Sequence, residues 1–279
     1  MTLSIHELTD VQILERYKPK VHIHPNEKYY PISIEQYINC SDIYYTTSKI
    51  QDKGTYTLSD LKQICQPYIG DCTKLSFYPD MNQVPNNIKN INTVPFYSAI
   101  SRSQTLFVLQ YHFLYAYNGS YNILGLFETG AHFGDLEHIT IEINPITGQI
   151  IRIYFGRHRQ SEGRWISPND CLIEDNHVNI YSALNGHGMY NKPGTAWRYV
   201  GFANDITSDK GITWFCDNVC VVSYNTEWIF LPINLGYPDS GSMIANTGFF
   251  LNEYQDDEPK TVGCFTCLQY SKKTSLFCG

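Results

Sequence analysis

Gly130-Ala-His-Phe-Gly-Asp-Leu-Glu-His-Ile-Thr-Ile-Glu-Ile143 decides how this chain is read. Ile139, Ile141 and Ile143 alternate with Thr140 and Glu142, the period of a half-buried strand. Carried backwards, the same alternation turns Asp135 and Glu137 toward the isoleucine face and His138 away from it. Carboxylates aimed at an apolar interior need something positive to meet them. A divalent cation does this, because it neutralises both and takes oxygen ligands readily. His132, three residues before Asp135 and flanked by Gly130 and Gly134, is placed to close over the same ion from a loop. The alternative is a strand-end Asp and Glu satisfied by backbone N–H groups or by an arginine.

Outward from this stretch the chain reads as strands. Residues 105–117, Thr-Leu-Phe-Val-Leu-Gln-Tyr-His-Phe-Leu-Tyr-Ala-Tyr, are rich in β-branched and aromatic side chains and no helix cap precedes them. Asn144-Pro-Ile-Thr-Gly148 has the Pro-early, Gly-late order of a hairpin connection between strands at 139–143 and 149–155. Shorter strands are expected at 21–24, 178–183, 213–216 and 228–231. Short helices are expected over 4–17, with Thr9 and Gln12 as a capping box and Pro19 as the stop, at 33–38 behind Ser33, and within 57–65. Residues 80–92, dense in Asn and Pro, read as a surface loop. The expected fold is mainly β: an antiparallel β sandwich with short peripheral helices and long loops. One domain over 1–279 is expected, with 241–279 as a C-terminal extension packed on it.

Composition agrees with this reading. Tyr numbers 22 and aromatics reach 14%, against only 17% charged residues, which favours strands over helices. A net charge of −7 with no run of Lys and Arg argues against nucleic acid as a partner. The opening residues carry neither a basic nor an apolar signal region, so a cytoplasmic location is expected, with peripheral membrane attachment or non-classical export as alternatives. Apolar runs reach about five residues, well short of the ~20 needed to span a bilayer. The nine cysteines are expected to be mostly reduced. Cys264 and Cys267, with Cys278, lack the second matched pair of a zinc site.

His-x-Gly-Asp-x-Glu-His entering a strand resembles the Vps62 family and its plant DUF946 relatives. Three further stretches carry the resemblance: His22-Ile-His-Pro-Asn-Glu-Lys-Tyr-Tyr-Pro31, Tyr154-Phe-Gly-Arg-His158 with Gly163-Arg-Trp165, and Tyr181-Ser-Ala-Leu-Asn-Gly-His-Gly-Met-Tyr190 with Lys192-Pro-Gly194. The match covers roughly residues 10–240. More remotely the chain is similar to the necrosis-inducing NLP cytolysins. That resemblance implies a β sandwich holding a divalent ion (Ca²⁺, Mg²⁺ or Mn²⁺) at His132, Asp135 and Glu137, with Asn118 at the place of a further ligand. Gly134 and Leu136 depart from the NLP heptapeptide, which has His and Trp there, and the first departure weighs against NLP-type toxicity.

Other candidates surround this cluster. His187 lies in Asn-Gly-His-Gly, where glycines permit close backbone approach, and Asn185 lies beside it. His158, between Arg157 and Arg159, reads as an anion pocket or a solvated basic turn, and His24 as a cavity-lining side chain or a backbone-bonded one. Tyr121-Asn-Ile-Leu-Gly-Leu-Phe127 is apolar, and Ile123, Leu124, Leu126 and Phe127 are candidate membrane contacts, the alternative being a buried edge strand. The expected function is recognition of an anionic or glycosylated lipid head group or glycan, with membrane attachment or damage as its consequence. The first alternative is a metal-dependent hydrolase of phosphoesters or esters using Glu137 or His187 as base. The second is a trafficking or structural protein with a relic cavity. No Ser-His-Asp order, His-Glu-x-x-His or phosphate-cradling Gly loop appears in the chain.

Overall fold

The computed structural model describes residues 5–68, 74–123, 127–158, 162–198, 204–223, 225–231 and 233–236. After a 3-10 turn at Ile5–Glu7, α1 (Asp10–Tyr17) begins at Thr9, whose side chain and that of Gln12 cap each other's backbone N–H. The helix expected over 4–17 is therefore two pieces, ending before Pro19 as that residue requires. β1 is Lys20–Ile23. α2 (Ile34–Asn39) starts behind the predicted Ser33, which forms a capping box with Gln36, and its Ile34 N–H donates to Tyr97 Oη at 2.6 Å. β2 (Ser41–Tyr45), β3 (Ser48–Gln51) and β4 (Leu75–Pro79) make a small sheet in the order β3-β2-β4, with α3 (Leu61–Cys65) between the last two in sequence.

The central sheet follows: β5 (Tyr97–Arg102), β6 (Phe107–Asn118), the hairpin pair β7 (Tyr121–Ile123) and β8 (Phe127–Thr129), then β9 (His132–Ile143), β10 (Ile150–Phe155) and β11 (Arg164–Ile166). Residues 173–214 supply the short strands β12 (Ile173–Glu174), β13 (His177–Ser182), β14 (Met189–Tyr190), β15 (Gly194–Ala196), β16 (Asp205–Thr207) and β17 (Thr213–Trp214), and β18 is Cys220–Val221. The central sheet runs β11-β10-β9-β6-β5-β18, antiparallel throughout except for β18 on β5. The three strands predicted at 105–117, 139–143 and 149–155 are thus neighbours in one antiparallel sheet. Their hairpin is closed by Asn144, whose Oδ1 accepts from Ile146 and Thr147 N–H, while Tyr17 Oη donates to the Gly148 carbonyl at 2.6 Å.

Both faces of this sheet are covered. On one, Tyr111, Phe113, Tyr115, Ile139, Ile141 and Ile143 pack against Val21, Ile23, Val178, Ile180, Trp214 and the buried side of α1. On the other, Leu114, Ala116, Tyr97 and Ala99 pack against Ile43, Leu75, Phe77 and α2. The result is the expected mainly-β, sandwich-like architecture with few short helices.

Two expectations are corrected. Residues 228–231 are not a strand; Glu227–Phe230 is a 3-10 turn closed by Leu231 N–H on the Trp228 carbonyl. Strand propensity of Trp and Ile yields there to tertiary packing, which buries Ile229 and Leu231 in the core under α2. The loop expected over 80–92 is in part a 3-10 helix, Asn87–Thr93, which Asn86 caps by accepting the Ile88 N–H. The extension at 241–279, Cys264, Cys267 and Cys278 lie outside the described residues. The five described cysteines, Cys40, Cys65, Cys171, Cys216 and Cys220, are free thiols. No helix among the described residues is long and apolar enough to cross a membrane.

Gly134 interrupts β9 with a φ of +63° while the strand keeps one register against β6 from Phe107↔Ile143 to Asn118↔His132. A Cβ there would run into the carbonyl group of Leu235, and one on Gly236 into that of Phe133, so two backbones touch where only glycines fit. Gly134→Ala is expected to cost about 2 kcal/mol or more in urea unfolding. A variant within roughly 0.5 kcal/mol of wild type would contradict this close approach.

Candidate functional site

The pairing of β6 with β9 sets the site. Asp135 lies opposite Tyr115 and Glu137 opposite Phe113, so both carboxylates share the face of the isoleucine core, as the alternation predicts. Both are buried. His138 points to the other face, where its ring stacks between those of His112 and Tyr154 and burial pushes it down to about 4.

His187 supplies the positive group. Its ring lies flat on Tyr115, centroids 3.7 Å apart and planes within 5°, and Nδ1 donates to Asp135 Oδ2 at 2.8 Å. On its other side Nε2 faces Glu27 Oε2 at 3.6 Å, an ionic rather than a hydrogen-bonded contact. Burial alone would lower the imidazole, but Glu27 and Asp135 together bring it up to about 10, so at neutral pH it is a buried cation between two carboxylates.

The backbone pays for this placement: Asn185 and His187 both take positive φ, 67° and 51°, on either side of Gly186. The loop is held by Asn185 N–H on Glu27 Oε2 at 2.8 Å, by Gly119 N–H on the Asn185 carbonyl, and by the Asp135 bond itself. Asn185 offers its side-chain amide to the Ser120 carbonyl at 3.4 Å.

Glu27, which sequence reasoning quoted inside the opening motif without giving it a role, is the anchor of this arrangement. Its Oε1 accepts Lys28 and Tyr29 N–H. Burial alone would raise its carboxyl; the His187 cation and the Tyr29 and Asn185 N–H groups hold it instead at about 2. Nearby, the Ile32 N–H donates to the Leu114 carbonyl, so the 27–32 segment runs along β6 and presents Glu27 to the site.

Glu137 differs from its neighbours. It makes no hydrogen bond or ion pair among the described residues, and burial first, then the Asp135 charge, push its carboxyl well above the ordinary range. Asn118 and His132 face each other at the far end of the β6–β9 ladder. The Asn118 amide donates to the Gly119 and Gly130 carbonyls, bracing the turn before β9, while His132 begins the strand rather than hanging from a loop, with Nδ1 buried and unbonded. Among the described residues no three His, Cys, Asp or Glu side chains stand together as a metal-ligand group.

A second polar centre adjoins the first, and sequence reasoning missed its core. Asp205, fully buried on β16, accepts from His158 Nε2 at 2.7 Å, Tyr190 Oη at 2.5 Å and Tyr121 Oη at 2.9 Å, with Arg198 Nη1 at 3.6 Å. Burial would raise Asp205, but these partners, His158 first, keep it below its ordinary value. Arg198 in turn grips Glu162 through two nitrogens, at 2.8 and 3.2 Å. His158 packs on the Gly186-His187-Gly188 loop so closely that a Cβ on Gly186 would collide with it, which joins the two centres. His24 lies apart, its Nδ1 accepting the Asn26 N–H in the turn after β1. Ile123 and Phe127 pair at the loop end of the β7–β8 hairpin; their side chains, and Leu124 and Leu126 entirely, lie outside what is described. A cavity of about 760 Å³ opens elsewhere, between α2 and Trp228, and none of these residues lines it.

Fold and site together define a mainly-β sandwich protein with a buried carboxylate–imidazole centre on its central sheet. The chain belongs to the Vps62 (vacuolar protein sorting-associated protein 62) family, which it matches over residues 4–239. Among solved structures it is similar to necrosis and ethylene inducing protein 2 from the causal agent of cocoa's witches' broom disease, with 14% identity over 81% of this chain and 82% of that one and a TM-score of 0.37. It is also similar to NLPPya in complex with glucosamine, with 12% identity over 72% of each chain and a TM-score of 0.37. A third is the non-toxic HaNLP3 protein, with 11% identity over 79% and 76% and a TM-score of 0.39. No curated protein matches the chain.

Glu27→Gln tests the anchor. A folded pKa of about 2 against an ordinary 4.5 corresponds to about 3 kcal/mol of stability. Because the folded value is the lower one, this contribution is whole above pH 4.5 and is lost as pH falls through about 2. Urea unfolding at neutral pH should show the variant less stable by that order, with a flatter acid limb than wild type. Equal stability at neutral pH would remove Glu27 from this role.

Proposed function

We propose that this chain is a recognition module that binds a divalent cation at Asp135 and Glu137 and, through it, a polyhydroxyl or anionic head group. The observation that carries the reading is Glu137, a buried carboxyl group with no partner among the described residues, beside a second carboxylate. Such a pair fits a hard cation that prefers oxygen donors, and Asp135 and Glu137 would hold it. The ion would supply a fixed positive charge able to take sugar hydroxyls or an anionic oxygen. His187 is committed to Asp135 and Glu27 as a structural cation, which argues for binding over proton transfer and against the hydrolase alternative. Lipid and membrane contact are part of the same proposal, with the β7–β8 hairpin as the contacting element.

Ca²⁺, Mg²⁺ or Mn²⁺ should raise the melting temperature of the chelator-treated chain. The gain is about 2.7 kcal/mol when the free ion exceeds its Kd a hundredfold. Asp135→Asn should abolish most of that gain, and a panel of soluble glycans should bind the wild type only with the ion present. Melting curves indifferent to all three ions would refute the cation; glycan binding that survives chelation would refute its role as the bridge.

A further inference from the structure

Arg157 and His158 sit on the turn that leaves β10, wrapped around Tyr190 and Asp205. The Arg157 guanidinium stacks 4.1 Å from the centre of the Tyr190 ring, and its Nε donates a long bond, 3.4 Å, to the Met189 carbonyl. Tyr190 Oη donates to Asp205 Oδ2, and the same oxygen is met by His158 Nε2. The two consecutive residues therefore flank one Tyr190–Asp205 pair.

The charges around this pair are unevenly matched. Arg198 has Glu162 as a two-pronged partner and Asp205 within reach. His158 has Asp205. Asp205 is already met by two tyrosine hydroxyls, an imidazole and a guanidinium. Among the described residues, Arg157 alone of these cations has no carboxylate within ion-pair distance and no acceptor on its terminal nitrogens, although it is half-buried against Tyr190. A half-desolvated guanidinium in this state presents its forked donors to an external oxyanion, and the aromatic face beneath holds the fork in place. His158, fixed through Nε2, keeps Nδ1 beside it without a partner among the described residues.

We propose that Arg157 and His158 form an oxyanion-binding subsite that takes a phosphate or sulfate group, free or esterified on a head group. It stands on residues other than Asp135 and Glu137 and does not require the cation reading. Arg157 supplies the bidentate contact and His158, with both ring nitrogens protonated, a single Nδ1–H, with Asp205 and Tyr190 as the rigid backing.

The test uses the full chain, treated with chelator and dialysed free of it, so that the cation proposal plays no part. Inorganic phosphate and inorganic sulfate are titrated calorimetrically at constant ionic strength, with chloride as the balancing anion. Saturable binding is expected, weakened roughly tenfold or more in Arg157→Met, which keeps the aliphatic stem over Tyr190. Arg157→Lys should bind between the two, since it keeps the charge and loses the fork. Unfolding midpoints establish that each variant is folded; if Arg157→Met does not fold, Arg157→Lys against wild type decides in the same way. A parallel sedimentation arm uses phosphatidylcholine vesicles with and without phosphatidic acid: binding only to the latter, lost in Arg157→Met, assigns the subsite to a head group, whereas binding of the inorganic ions alone assigns it to a free anion. No saturable binding in either arm, or equal affinity in wild type and both variants, overturns the proposal.

Discussion

Two carboxylates on the apolar face of a β sheet are the constraint around which this molecule is arranged. Asp135 and Glu137 continue the alternation that Ile139, Ile141 and Ile143 follow further along the strand. Burying their charge unpaired is prohibitive. For Asp135 the fold answers with His187, laid flat on Tyr115 and backed by Glu27. That answer dictates much else: the left-handed loop at 185–187, the glycines that let Tyr121 and His158 close on it, and the course of residues 27–32 beside β6. For Glu137 the described residues hold no partner, and that asymmetry is where function enters the argument.

The two polar centres share a wall. The loop carrying His187 touches His158, and His158 is held by Asp205, whose charge reaches Glu137. Groups coupled in this way do not contribute independently.

Most of the architecture was legible because alternation and capping are local. The strands of the central sheet, the Thr9 and Ser33 boxes, the Asn144–Gly148 hairpin and the common face of Asp135 and Glu137 all follow from residues within a few positions of each other. The start of β9 was less so: Gly130 and Gly134 read as loop, yet register with β6 persists through Gly134 because neighbouring backbone, not local preference, sets the conformation there. Glu27 and Asp205 were not singled out at all. Glu27 reaches Asn185 158 residues away, and Asp205 reaches Tyr121 and His158 84 and 47 residues away, and no spacing rule reaches that far. A signal did exist for Glu27, since an acidic residue inside a His-Pro-Asn-Glu turn ahead of aromatic residues invites the question of what pairs with it. Nothing comparable marks Asp205, which stands in an ordinary Asn-Asp-Ile-Thr stretch.

The central claim is that Asp135 and Glu137 hold a divalent cation, and diffraction addresses it most directly. Crystals of the wild-type chain soaked in Mn²⁺ and measured at a wavelength where manganese scatters anomalously should show a peak within direct coordination distance of oxygens from both carboxylates. The same soak of Asp135→Asn should show none. An ordered wild-type site with no anomalous peak there, and Glu137 instead bonded to a protein group, would contradict the account.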